Sequence, residues 1–517
     1  MDYISFKNFR KFREETAFEL NNINILVGPN NSGKSTLTKG LRLYLWNILN
    51  LKINNDNVFS IRPFFQFGGN VLDNPHVGTF GRALSQDADS NHIDFSARFF
   101  NTIIDTTVSR YSKHSKDSEG NPIDYYNKAS APITRIIISN LDYDTAYYFD
   151  FEEGNYSIQF NVTGNGNYYA IWKDRLKELK KTGKSHKVLY DGETEEDIII
   201  HRLEKCLSFG SREKIIMKTK LAPLCFGGYL YESLIRYVFK QAVENVNFDY
   251  EVNDAATHLL DDNNFAEYFS QINFDLLDDY QKYVTTTEPV VIEAHSVTHS
   301  LVYNISDKND YMAQTILEYI SQDIKDNDPE KLFVEDWMSK FHIGEDFLIE
   351  SFGGECFKFE IIEDVDHLEK RTPLLDKGVG SNQIMILLLR LATIMRKNRG
   401  ATFPSTIVIE EPEQNLHPKL QSLLADLFNE VYQYPMKENK DSWGISFLIE
   451  THSEYLVRKS QVIVSKQQGE KEAPFTVYYL GETEQPQKMI YQDNGTFQND
   501  FGEGFYDESI KLTEEIV

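Results

Sequence analysis

The sequence predicts an α/β fold built around a phosphate-binding loop, and three observations carry that prediction. Residues 28–36, Gly28-Pro29-Asn30-Asn31-Ser32-Gly33-Lys34-Ser35-Thr36, satisfy G-x-x-x-x-G-K-[ST] between an apolar run, Ile23 to Val27, and a helix-patterned stretch, Leu37 to Leu49. A second apolar run, Thr406 to Ile409, ends in Glu410-Glu411-Pro412-Glu413, with Leu416-His417-Pro418 just beyond. A third, Ser446 to Ile449, ends in Glu450-Thr451-His452-Ser453.

The loop comes first because its chemistry is the most specific. Its glycines let the backbone curl so that successive N–H groups point at phosphate oxygens, and the following helix N-terminus favours negative charge. The expected nucleotide contacts are Asn30, Asn31, Ser32, Gly33, Lys34, Ser35 and Thr36, with Lys34 reaching the β- and γ-phosphates and Ser35 a ligand of Mg²⁺. A Gly/Asn-rich loop can also do no more than turn the chain. Four fixed positions in strand–loop–helix order ask for more than a turn does.

A strand ending in two acids reads as a Walker B element: Glu410 would hold Mg²⁺ through water, and Glu411 would polarise the attacking water. Its plain reading is a strand that ends in an exposed acidic turn. His452, at the end of the third strand, can hydrogen-bond a γ-phosphate and report its presence. Between these motifs and the middle of the chain lies Asp376-Lys377-Gly378-Val379-Gly380-Ser381-Asn382-Gln383, followed by the apolar helix Ile384 to Met395. Small residues at a helix N-terminus make a second anion nest.

Composition bounds the rest. At 517 residues, 41% hydrophobic and 13% aromatic, the chain can bury a large core, in about two to four domains or in one domain with a big insertion. No stretch approaches the roughly 20 apolar residues of a membrane helix, and no signal peptide is apparent, so a cytoplasmic protein without membrane contact is expected. Cys206, Cys225 and Cys356 lack metal-site or disulfide spacing. A net charge of −26 argues against a chain that coats nucleic acid over its whole surface. Local contact through Lys173 to Lys187 or Arg212 to Lys220 stays open beside the ordinary reading of solvated faces.

In chain order, Tyr3 to Phe12 and Thr16 to Leu20 read as opening strands, followed after the loop helix by a polar stretch, Asn54 to Asn91. Strands are expected at Ile93 to Phe99, Ile133 to Ser139, Ala146 to Phe151 and Tyr156 to Val162, forming an antiparallel sheet. Residues 165–329 turn to helical periodicity, clearest at Ala170 to Lys181, Tyr229 to Val246, Asn264 to Tyr283 and Tyr311 to Ile324. Strands Phe347 to Phe352 and Cys356 to Ile362 follow. Three regions result: 1–164 as the N-terminal part of an ATPase head, 165–329 as a helical insertion, and 330–517 as the C-terminal part of the head.

The order of these elements resembles the ATP-binding-cassette (ABC) type ATPases of the chromosome-maintenance, RecF and OLD (overcoming lysogenisation defect) group. Phe6-Lys7-Asn8-Phe9-Arg10, GPNNSGKST, EEPEQNLHP and ETHSEYLV resemble the bacterial phage-defence branch, which includes the ATPase subunits of the OLD, Septu and PARIS systems. The tail, Asp493-Asn494-Gly495 and Phe501 to Glu508, resembles that of one subfamily. The resemblance implies a Mg²⁺-dependent ATPase whose two heads sandwich ATP, hence a homodimer or higher homo-oligomer. It also implies a switch that controls a separately encoded nuclease or toxin, because no Toprim-sized segment follows His452.

Carried over residue by residue, Gly378 and Gly380 fall where the family has its signature Ser and Gly. Gly378 departs from the pattern, so backbone amides, Ser381 or Asn382 would have to serve the γ-phosphate. The resemblance further implies Gln86 as a Q-loop metal ligand, Gln414 to His417 as the D-loop, and Arg10 near the nucleotide. Two other readings stay open: an interaction scaffold that binds ATP without appreciable hydrolysis, and a RecF/SMC-like DNA-maintenance ATPase.

Overall fold

A computed structural model describes residues 2–50, 63–68, 77–99, 101–113, 115–141, 145–152, 155–160, 215–217, 290–293, 300–367, 370–399, 405–438, 444–467, 473–481 and 485–516. The chain forms two compact units, residues 1–19 with 39–285 and residues 20–38 with 286–517. Among the described residues no helix is long and apolar enough to cross a membrane.

The first three strands, β1 (Tyr3–Lys7), β2 (Thr16–Glu19) and β3 (Ile23–Val27), fall where the sequence places them, except that β1 is shorter. It stops at Lys7 because Asn8 and Arg10 adopt φ of 58° and 52°, which turns the chain so that Phe9 bridges to Phe12. Helix α1 (Lys34–Asn50) begins inside the phosphate loop.

The first unit is an antiparallel sheet. It adds β4 (Phe64–Gln66), β5 (His92–Phe99), β6 (Thr102–Ser109), β7 (Ser130–Asn140), β8 (Thr145–Asp150), β9 (Asn155–Phe160) and β10 (Ile215–Met217) to β1 and β2. The strand order is β10-β9-β8-β7-β6-β5-β1-β2, with β4 on β7. Strands β5 and β6 alternate buried and half-buried residues, the pattern of a sheet with one covered face. Phe65 and Tyr44 stack on Phe95 at 4.8 and 5.3 Å, so aromatic packing fills that face.

The second unit holds a parallel sheet around the loop. Strands β11 (Val290–Glu293), β16 (Ser405–Glu410), β17 (Ile445–Glu450), β3 and β18 (Phe475–Tyr479) run parallel in that order, and β19 (Gln487–Met489) closes the edge antiparallel. Every residue of β3 and β18 is buried, as continuous apolar strands covered on both faces require. A separate antiparallel sheet combines β12 (Tyr303–Asn304), β13 (Asp346–Phe352), β14 (Cys356–Ile362) and β15 (Arg371–Pro373). Helices α2 (Tyr311–Ser321), α3 (Pro329–Lys340), α4 (Val379–Lys397), α5 (Pro418–Glu438), α6 (Glu454–Lys466) and α7 (Glu508–Ile516) complete the unit. Helix α4 is buried without a break from Asn382 to Met395, which is why its sequence is apolar all round.

The α/β class, with a P-loop core and an antiparallel sheet, is therefore as expected. Within the stretch read as helical, β11 joins the parallel sheet beside β16. Its Val-Val-Ile run is too short to show a period, and only a parallel neighbour makes it a strand. The expected helices at Ala170 to Lys181, Tyr229 to Val246 and Asn264 to Tyr283 lie outside the described residues, as do Cys206, Cys225 and both basic patches apart from Ile215–Met217. The aromatic residues of the tail pack inward: Phe501 and Phe505 lie against Tyr479, and the Tyr506 ring lies 4.0 Å from the Arg458 guanidinium.

Candidate functional site

The site stands at the C-terminal edge of β16, β17 and β3, and the sheet register builds it. Glu293, Glu410 and Glu450 occupy one level on adjacent parallel strands, and Glu450 is level with Leu26 of β3. The backbone N–H of Glu411 donates to the Glu450 carbonyl at 2.7 Å, and that of Thr451 to the Leu26 carbonyl at 3.0 Å. Three strand ends are thus held together where the chain leaves the sheet.

The loop above them is curled by positive φ at Gly28 (145°), Asn31 (61°) and Gly33 (111°). Such alternation turns successive N–H groups toward one point. Gly28 is obligatory for a second reason: a Cβ there would lie 2.1 Å from the Leu480 carbonyl oxygen. Lys34, almost fully buried, donates from Nζ to the carbonyls of Gly28 at 2.8 Å and Pro29 at 3.0 Å. These bonds hold the ammonium across the mouth of the loop. The Ser32 hydroxyl is buried and has no protein partner, the condition of a group awaiting an anion. Asn30 and Asn31 are exposed, and Thr36 is buried in the first turn of α1.

Ser35 and Lys34 face carboxylates. The Ser35 hydroxyl donates to Oε1 of Glu450 at 2.7 Å. Burial pushes the Glu450 carboxyl up from the usual carboxylate range, with Glu410 and Glu411 adding to the rise and Ser35 and Lys34 opposing it. Its other oxygen, Oε2, is sealed from solvent and has no hydrogen-bond partner. An orphaned buried carboxylate oxygen beside a lysine and two further glutamates is a fit for a divalent cation. Among the described residues no three His, Cys, Asp or Glu side chains form a protein-only metal cluster. Mg²⁺ is commonly held by one or two carboxylates together with phosphates and waters.

Glu411 sits at φ 46°, a strained conformation for a residue with a side chain, and its carboxylate accepts from Gln414 Nε2. His452 Nε2 lies 3.7 Å from Glu411 Oε1. Burial, and then the Lys34 charge, lower the His452 imidazole below its ordinary range, with Glu411 opposing. A neutral imidazole can donate to a phosphate oxygen from one nitrogen. The neighbouring Glu413 fixes the histidine backbone: its Oε1 accepts from the His452 N–H at 2.7 Å, while burial raises its own carboxyl.

The glycine nest leads into α4. Gly378 is the N-cap, at φ 84° and ψ 165°, with no side-chain cap and nothing within 4 Å of where a Cβ would be. That conformation is open to glycine and strained for serine, which accounts for the departure from the signature pattern. At Gly380 a Cβ would lie 2.6 Å from the Asn415 carbonyl oxygen, so the nest packs directly on the Gln414 to His417 segment. Asn382 is buried: its Nδ2 donates to the carbonyls of Leu374 at 3.0 Å and Gly378 at 2.7 Å, and its Oδ1 has no hydrogen-bond partner. Ser381 is half-buried on the first turn.

The structure therefore brings Lys34, Ser35, Glu411 and His452 together around one strand edge, with Glu410 at the same level of the sheet. Gly378, Gly380, Ser381 and Asn382, the residues expected to form the signature loop, lie in the same unit. Gln86 and Arg10 belong to the other unit. There Gln86 lines a polar cavity of about 380 Å³ with Ser85, Asp89, Ser90 and Arg110. Arg10 is half-buried, and burial and the neighbouring Arg82 lower its pKa. Sequence reading gave no role to Glu450 or Glu413. For Glu450 the signal was present in that β17, like β16, ends in a glutamate.

No curated protein matches the chain. Among solved structures, the SMC head domain from Thermotoga maritima aligns at 9% identity with a TM-score of 0.31, covering 95% of this chain and 98% of that one. A profile described as AAA ATPase domain (AAA_15) matches residues 1–457, and the chain belongs to that AAA ATPase domain family.

Proposed function

We propose that this protein is a Mg²⁺-dependent ATP hydrolase that works as a nucleotide-driven switch. In this reading two copies close head to head on ATP, and the closed state controls a separately encoded effector, a nuclease or toxin, in defence against phage. The observation that carries the ATPase reading is the convergence of Lys34, Ser35, Glu411 and His452 on one edge of a parallel sheet. Lys34 would neutralise the β- and γ-phosphates, Glu411 would accept a proton from the attacking water, and His452 would donate to the γ-phosphate. Bound Mg²⁺ would supply charge neutralisation at the phosphates; Ser35 and Glu410, at the end of β16, are the groups that would hold it.

The head-to-head arrangement is supported by the nest at Gly378. Its helix N-terminus is exposed and carries no side-chain cap, so the first-turn N–H groups are open to an anion supplied from outside the chain. The defence role and the effector rest on the resemblance of GPNNSGKST, EEPEQNLHP, ETHSEYLV and the tail. Gln86 and Arg10 are proposed to reach the nucleotide on the same ground.

Light scattering on Glu411→Gln with saturating ATP and Mg²⁺ tests the assembly. A dimer or larger species that returns to a smaller one in ADP is expected. A monomer under both conditions contradicts it.

A further inference from the structure

We propose that Glu450 is a metal-site acid that works with Ser35, a task that sequence reading gives to Glu410. The inference rests on the ATPase reading above and adds a residue to it.

Three observations carry it. The first is the pairing of Glu450 Oε1 with Ser35 Oγ at 2.7 Å. A serine hydroxyl that donates its one hydrogen to a carboxylate has its lone pairs left for a cation, and it cannot rotate the proton into the metal's place. Glu450 therefore presets the ligand that the P-loop supplies. The second is the orphaned Oε2. Glu450 is 5% exposed, and Oε2 has no hydrogen-bond partner, whereas buried polar atoms are almost always satisfied. Leaving a carboxylate oxygen so is unfavourable unless another group arrives, and a cation or one of its bound waters is a group of the right sign.

The third is position. Glu450 stands on β17, between the P-loop strand β3 and the Walker B strand β16, level with Glu410 and with Leu26. On adjacent parallel strands, residues at one level face the same side of the sheet, so Glu410 and Glu450 present two carboxylates together. Two neighbouring carboxylates repel each other in a buried site, and a divalent cation between them or beside them removes that repulsion. Glu450 is also hydrogen-bonded to the P-loop ligand Ser35.

The test is a Mg²⁺ titration of ATP affinity, read by the fluorescence of an N-methylanthraniloyl ATP analogue starting from EDTA. It uses the full chain as wild type, Glu450→Gln and Glu450→Asp, with a thermal melt of each to confirm folding. In Glu450→Gln the affinity in EDTA should be kept or improved, because a negative charge near the phosphates is gone. The Mg²⁺ concentration for half-maximal tightening should rise about 10–100-fold, the usual cost of losing a group that orients a metal ligand. Glu450→Asp keeps the charge but not the reach to Ser35, and should fall between the two.

An unchanged Mg²⁺ midpoint in folded Glu450→Gln overturns the proposal, as does a loss of affinity in EDTA with no change of midpoint, the mark of a purely structural residue. If the Gln variant does not fold, an unchanged midpoint in Glu450→Asp overturns it instead. Wild type that binds the analogue but ignores Mg²⁺ removes the metal role and leaves the nucleotide reading standing. Wild type that binds no analogue in either condition removes both.

Discussion

Replacing Gly28 by alanine tests whether the loop geometry, and not merely its charge, makes the site. The added Cβ would lie 2.1 Å from the Leu480 carbonyl oxygen and 3.0 Å from its carbon. Both are backbone atoms, so no rotamer change relieves the overlap. Restoring ordinary contact requires a displacement of about 1 Å between the end of β3 and the residue after β18. That movement breaks the Leu480 N–H to Val27 carbonyl bond, 2.8 Å long. Its loss costs about 1 kcal/mol, and an alanine at φ 145° adds about 1–3 kcal/mol of strain, so about 2–4 kcal/mol in total is expected. For a unit of this size that corresponds to a fall of roughly 5–15 °C in Tm. A 1 Å misplacement of a reacting group costs about 10² in rate, so Gly28→Ala should lose turnover by about that factor even where it remains folded. Differential scanning fluorimetry and steady-state phosphate release measure both quantities. A folded variant with wild-type Tm and wild-type turnover would show that the overlap at Leu480 does not shape the site.

Four further outcomes follow from the same geometry. Lys34→Ala should lose ATP binding by calorimetry, because it removes the side chain expected to neutralise the β- and γ-phosphates. Gly378→Ser, which supplies the hydroxyl of the signature pattern, should cost about 1–3 kcal/mol in urea unfolding at φ 84°. Gly380→Ala should separate α4 from the Asn415 carbonyl and lower turnover more than ATP affinity, since the overlap falls outside the P-loop. Incubated alone with plasmid DNA, single-stranded DNA or tRNA, Mg²⁺ or Mn²⁺ and ATP, the chain should cut none of them. Cleavage that disappears on mutating its own acids would reverse the effector assignment.

What the sequence made legible was local. The P-loop, the acid pair at Glu410 and Glu411, and His452 each announce themselves within a few residues, because strand, turn and reactive group are contiguous. The buried pattern of β3 and α4 was readable for the same reason. Other features depend on pairing between distant segments. Strand β6 starts at Thr102, close behind Phe99 at the end of β5 and with little punctuation in the sequence between them, and it becomes visible only through its register with β5 and β7. Strand β11 is recognised by its neighbour β16. Glu450 reads in sequence as the first letter of a histidine motif, and only the alignment of β17 with β3 brings it to Ser35. Gly378 shows the reverse case: the sequence marks a missing hydroxyl, and the backbone at φ 84° supplies the reason.

Glu411 is proposed to activate water in a site that otherwise binds ATP intact. Its most direct measurement is steady-state phosphate release by wild type and Glu411→Gln at saturating ATP and Mg²⁺, with ATP affinity measured in parallel. Wild type should release phosphate, and the variant should lose about 10² or more of that rate with little change in affinity. Equal release by the two proteins, or none from wild type that binds ATP, would contradict it.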